Sequence, residues 1–182
     1  MIKKTIEYIN QQQFENSLDL YKQRLLEKYK YDDLSMYFQI FSTELEESSV
    51  KPIWESIENI FPGKPWFGHS TAGNVSDCDI TSDLSVSITV FEKPTTKFKI
   101  LQYSMGSQLT KDIADDIIRE CNDNKWVKAV EFYRTINSES PTVFSERFDC
   151  LPEDIQMFGG IVCSKNITST DSCVFSSVGG FD

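Results

Sequence analysis

The chain has 182 residues, 40% of them hydrophobic, with 13 Phe, 7 Tyr, 3 Trp and a formal net charge of −10. That is enough apolar material for one domain with a sizeable core. The acidic balance and the scattering of Lys and Arg exclude the basic patches that nucleic-acid binding needs, and no run approaches the roughly 20 apolar residues of a membrane span.

The five cysteines, Cys78, Cys121, Cys150, Cys163 and Cys173, are odd in number and show no CxxC spacing. The N-terminus turns polar before an apolar signal core can form. Both features point to a cytoplasmic protein with reduced thiols.

In chain order, a strand is expected over 2–9. A helix follows over 14–29, where Phe14, Leu18, Tyr21, Leu25 and Tyr29 recur at helical spacing. Residues 34–41 are aromatic-rich and read as a buried strand. A second helix carries Val50, Ile53, Trp54, Ile57, Ile60 and Phe61 on one stripe, with Pro52 expected in its first turn and Pro62-Gly63 ending it. A third strand, 65–69, runs into the turn Ser70-Thr71-Ala72-Gly73. Strands over 84–91 and 97–103 are expected to form a hairpin. Ser107 is placed to cap a third helix, in which Leu109, Ile113, Ile117 and Cys121 share a face. A strand over 126–133 sets Val127, Ala129, Glu131 and Tyr133 opposite Trp126, Lys128, Val130 and Phe132. A polar stretch, 134–156, precedes strands over 158–163 and 172–176. Strands alternating with helices, with one inserted β-hairpin, predict an α/β fold with a mixed sheet flanked by helices. The ending at Asp182 reads as a domain cut from a longer chain, with its last strand at a sheet edge where association or homodimerisation would occur.

Residues 65–73 carry the most chemistry. Two hydroxyls, Ser70 and Thr71, stand between Gly68 and Gly73. They either hydrogen-bond a ligand, with N–H groups near Ala72 and Gly73 cradling an anionic group, or satisfy the turn's own backbone. His69 is the sole histidine, which excludes a multi-histidine metal site. It projects to the face opposite Ser70 in an extended chain, so the two do not make a nucleophile–base pair. It is either an ordinary strand histidine or a pH-responsive pocket contact. Gly159 and Gly160 are either a tight bend or a place where another backbone or a ligand comes close. Asp77, Asp79 and Asp83 do not fit a calcium loop, because Ile80 and Thr81 break its pattern. No cofactor or metal is expected.

The order of these motifs resembles the N-terminal half of the FIST domain (F-box and intracellular signal transduction), a bacterial sensory module. The resemblance rests on the strand Tyr37-Phe38-Gln39-Ile40-Phe41-Ser42, the helix over 50–61 and the turn Gly68-His69-Ser70-Thr71-Ala72-Gly73. It continues in Phe158-Gly159-Gly160 and Cys173-Val174-Phe175. It covers 34–178, with 1–33 as a leading strand and helix of the same single domain. His69, Asn74 and Val162-Cys163 depart from the family's usual residues. The resemblance implies a small-molecule sensor, amino acids among its proposed ligands, bound by His69, Ser70, Thr71, Ala72, Gly73, Gly159 and Gly160. Arg134 and Arg147 are then placed to meet a ligand carboxylate. It also implies a second FIST half and an output domain such as a diguanylate cyclase, histidine kinase or chemotaxis transducer. Two rivals stand beside it: a hydrolase or transferase using Ser70 as nucleophile, and an interaction module exposing Trp54, Trp66 and Trp126.

Overall fold

The computed structural model describes the chain except for residues 77–78, 82, 94, 105–109, 136–145, 165–170 and 182, and describes the backbone alone at 74–76 and 79–81. In chain order its main elements are β1 (Ile2–Glu7), α1 (Gln11–Leu26), β2 (Ser35–Ser42), α2 (Glu47–Ile60), β3 (Trp66–Ser70), β4 (Asn74–Ser76) and β5 (Asp79–Thr81). There follow β6 (Leu84–Phe91), α3 (Thr110–Asp123), β7 (Ala129–Arg134), β8 (Gln156–Ile161), β9 (Val174–Ser176) and β10 (Gly180–Phe181). Six strands form the main sheet in the order β1-β6-β2-β3-β9-β10. It is mixed: β2 and β3 run parallel across the α2 crossover, and the other pairs are antiparallel. This is the α/β architecture with a mixed sheet and flanking helices that the alternation of patterns predicts.

The period-2 patterning of β2, β3 and β6 sorts their side chains onto two very different faces. Met36, Phe38 and Ile40 lie opposite Val90, Ile88 and Val86 and are buried with them under α1 and α2. Phe14 and Leu18 of α1 and Val50, Ile53, Trp54 and Ile57 of α2 complete this core. Each such side chain contributes about 1.5–3 kcal/mol on burial. The Asn10 side chain caps α1 by accepting from the Gln13 N–H at 3.0 Å. Gly68, opposite both Ile40 and Phe175, leaves the space that the Phe175 ring occupies. Trp54 and Trp66 stack in this core at 5.2 Å, and only Trp126 of the three tryptophans is exposed. The tryptophan surface that an interaction module would need is therefore not formed.

The opposite face is polar. Tyr37, Gln39 and Phe41 pair with Thr89, Ser87 and Ser85, and Phe67 and His69 continue it onto β3. The parallel pair β7–β8 covers this face, with α3 behind it. β7 alternates as its sequence requires: Val130 and Phe132 pack against Ile113, Ala114, Ile117 and Cys121 of α3, while Glu131 and Tyr133 turn toward the sheet.

Several expected details move. Residues 97–103 form no strand, because both edges of β6 are already occupied by β1 and β2. The inserted hairpin is β4–β5 instead. The segment 96–103 ties the layers together through side chains: Lys99 pairs with Glu120 at 2.7 Å, the Tyr103 hydroxyl donates to Asp116 at 2.5 Å, and Gln102 accepts from Ser176 at 2.6 Å. Pro52 sits inside α2 rather than in its first turn, since the helix begins earlier, at Glu47. β9 is not an edge strand; it lies between β3 and β10, a final short strand that sequence reading missed. Ser107 and Asp77 lie outside the described residues. Among those described, no helix is long and apolar enough to cross a membrane.

Candidate functional site

The turn after β3 uses its hydroxyls on its own chain. Ser70 is 1% exposed. Its N–H donates to the Cys173 carbonyl at 2.9 Å, and its Oγ accepts from the Cys173 N–H at 3.0 Å, so Ser70 joins β3 to the start of β9. Thr71 Oγ1 donates to the Gly73 carbonyl at 2.9 Å and accepts from the Gly73 N–H. Burial pushes the Cys173 thiol up to about 11, against opposing hydrogen bonds from Ser70. Ser70 Oγ is thus taken up by the Cys173 backbone N–H.

A pocket of about 320 Å³ at this strand end brings together five residues singled out from the sequence: His69, Ser70, Thr71, Gly159 and Gly160. Ala72 and Gly73 are exposed and do not line it. Arg134 is buried and lines a different, larger cavity, and Arg147 pairs with Asp115 at 3.3 Å. Gly159 has φ 133, and a Cβ there would collide with the Phe132 carbonyl on the neighbouring strand, whereas Gly160 faces open space. The close approach at Gly159 is thus to β7.

The larger cavity, about 840 Å³, lies between the polar face of the main sheet, the segment 95–103, β7 and α3. Its wall is aromatic. Tyr37 is surrounded by Phe67, Phe91 and Phe98 at ring separations of 5.6, 6.1 and 5.8 Å. At one side these rings meet an ordered polar network. The Gln39 amide donates to the Tyr133 hydroxyl at 2.9 Å, and that hydroxyl donates to Glu131 Oε1 at 2.7 Å. The Tyr37 hydroxyl reaches Glu131 Oε2 at 3.4 Å. Burial raises both tyrosines; hydrogen bonding and charge from Glu131 raise Tyr133 further, and the charge adds at Tyr37 while Thr89 opposes it. Both phenols therefore stay protonated and donate to the carboxylate.

His69 joins the network from β3. Its ring stacks on Tyr133 at 4.4 Å and meets Phe41 edge-on at 5.1 Å. Nδ1 lies 3.0 Å from the Ser70 carbonyl, which only accepts, so Nδ1 carries the proton and Nε2 accepts from the Gln39 amide at 3.4 Å. Burial lowers its pKa, with the Ser70 carbonyl and the Glu131 charge opposing. His69 is thus neutral and bonded through both nitrogens.

Sequence reading missed Tyr37, Gln39, Phe67, Glu131 and Tyr133 as site residues. The signal was there in part. A glutamine inside the aromatic strand 35–42, and a Glu and Tyr sharing one face of β7, both mark a strand face that is buried yet not apolar.

Among the described residues, no group of three or more His, Cys, Asp or Glu is arranged to hold a metal ion. The chain matches no protein-family model, no curated protein and no solved structure.

Proposed function

We propose that this chain is a ligand-binding sensory domain whose small-molecule ligand occupies the cavity between β7 and the polar face of the main sheet. The cavity carries the reading. Its volume of about 840 Å³ suits small organic ligands, which occupy roughly 300–1,000 Å³. Its wall is rich in aromatic and aliphatic side chains, and a hydrogen-bonded polar group of Glu131, Tyr37 and Tyr133 stands at one side, the arrangement that gives such ligands orientation and specificity. The resemblance of residues 34–178 to a FIST half-domain supports sensing over catalysis, in a bacterial signalling protein with a second FIST half and an output domain such as a diguanylate cyclase, histidine kinase or chemotaxis transducer. Ligand held between β7 and the sheet favours one arrangement of these layers, and that shift in population is the signal passed on. The use of Ser70 Oγ by the Cys173 N–H favours this reading over a Ser70 nucleophile.

A thermal-shift screen of amino acids, amines and small carboxylates tests it, run on the wild type and on Ala129→Trp. Ala129 is exposed and lines the cavity, so an indole there fills space without disturbing a core. Compounds that raise the melting temperature of the wild type and lose their effect in Ala129→Trp support the proposal. Stabilisation of both proteins alike, or of neither, overturns it.

A further inference from the structure

Glu131 is the unusual group in this cavity. It is half-buried, faces the aromatic side and holds two tyrosine hydroxyls. The other cavity-lining carboxylate of the described residues, Glu120, is neutralised by Lys99 at 2.7 Å, and Lys128 is turned outward onto Asp154. Glu131 has no ion pair among the described residues. Two hydroxyls solvate the carboxylate without forming an ion pair, and each of its oxygens keeps a further acceptor site, while the cations Lys97 and Arg134 line the same cavity. The two tyrosines that reach Glu131 through their hydroxyls, Tyr37 and Tyr133, are in ring contact with Phe67, and Tyr37 also with Phe98. A carboxylate beside a cluster of aromatic rings is the chemistry that recognises an organic cation: the carboxylate accepts its N–H bonds while the rings offer apolar surface with negative faces to the rest of it. The net charge of −10 raises the local concentration of cations and disfavours anions.

We infer that the cavity selects a protonated amine, its ammonium group on Glu131 and its carbon skeleton among the rings of Tyr37, Phe67, Phe98 and Tyr133. This inference rests on the sensory reading above and sharpens it to a ligand class. It follows that amino acids would be read here through their amino group rather than their carboxylate.

Three probes of similar size separate the possibilities at pH 7.5: 2-phenylethylamine, which is protonated, 2-phenylethanol, which is neutral, and phenylacetate, which is anionic. Isothermal titration calorimetry on the wild type is expected to show the amine binding about tenfold or more tighter than the alcohol. Glu131→Gln is expected to abolish that difference while leaving the affinity for 2-phenylethanol unchanged. The retained affinity of Glu131→Gln for 2-phenylethanol reports that this variant is folded, and Tyr37→Phe, which keeps the ring and the carboxylate, is expected to retain the preference for the amine. Equal binding of amine and alcohol, or tightest binding of phenylacetate, overturns the ammonium assignment and leaves a ligand cavity standing. Binding of none of the three at millimolar concentration overturns both readings.

Discussion

His69 shows how one residue is defined by what surrounds it. Gln39, Phe41, Ser70, Tyr133 and Glu131 face it from β2, β3 and β7, and burial outweighs the carbonyl and carboxylate that favour its charged form. A folded-state pKa below the ordinary value of about 6.5 means that the unfolded chain binds the proton more readily. The neutral ring's contribution is therefore complete above about pH 6.5 and is lost as pH falls from there toward the lowered folded value. Because His69 is the sole histidine, this limb of the stability profile is cleanly assignable. Urea midpoints between pH 7.5 and 5.5 should fall for the wild type and stay nearly flat for His69→Phe, which keeps the ring contacts. Parallel slopes for the two proteins would refute the assignment. In the sequence His69 was visible as a strand residue facing away from Ser70, either ordinary or a pH-responsive pocket contact. The strand geometry was local, whereas Gln39, Glu131 and Tyr133 lie 30 or more residues away.

Strand β8 is little supported by burial and depends on a single backbone feature. Its residues are largely exposed, with Phe158 53% and Ile161 50% accessible, and it pairs with β7 alone. Gly159 sits opposite Phe132 in that pairing with φ 133, a conformation closed to side chains. Gly159→Ala meets both the Phe132 carbonyl and an unfavourable φ. It should lower stability by about 1–3 kcal/mol, measured by urea denaturation. Gly160→Ala, which points into open space, should fall within about 0.5 kcal/mol of the wild type. Equal costs at the two glycines would show that the pairing does not depend on Gly159. From the sequence these glycines were indistinguishable, because a bend and a close approach ask for the same residue. The helices were more legible, since the stripes of α1 and α2 name their buried positions without knowledge of what they bury against.

The molecule as a whole holds two apolar clusters of unequal size on either side of the polar cavity face. Cys173 belongs to the larger, under α1 and α2, and Cys121 to the smaller, between α3 and β7. All four cysteines of the described residues are free; Cys150 is exposed. Pulsed alkylation along a urea series, read by mass spectrometry, should label Cys150 in the native protein, Cys121 at intermediate urea and Cys173 last. The order follows from local stability tracking the apolar surface each cluster buries. Simultaneous labelling of Cys121 and Cys173 would mean that the clusters unfold as one unit. The α/β class, the apolar stripes of α1 and α2 and the alternation of β6 and β7 were all readable along the chain, because helical and strand periodicity are local and their apolar sides must be buried whatever the topology. Strand order was not readable. Residues 97–103 have the pattern of a strand yet find no partner, because β1 and β2 take both edges of β6. Nor was the cavity readable: Tyr37 and Glu131 meet across 94 positions, and only the packing of β7 over the polar face of the sheet makes one site of them.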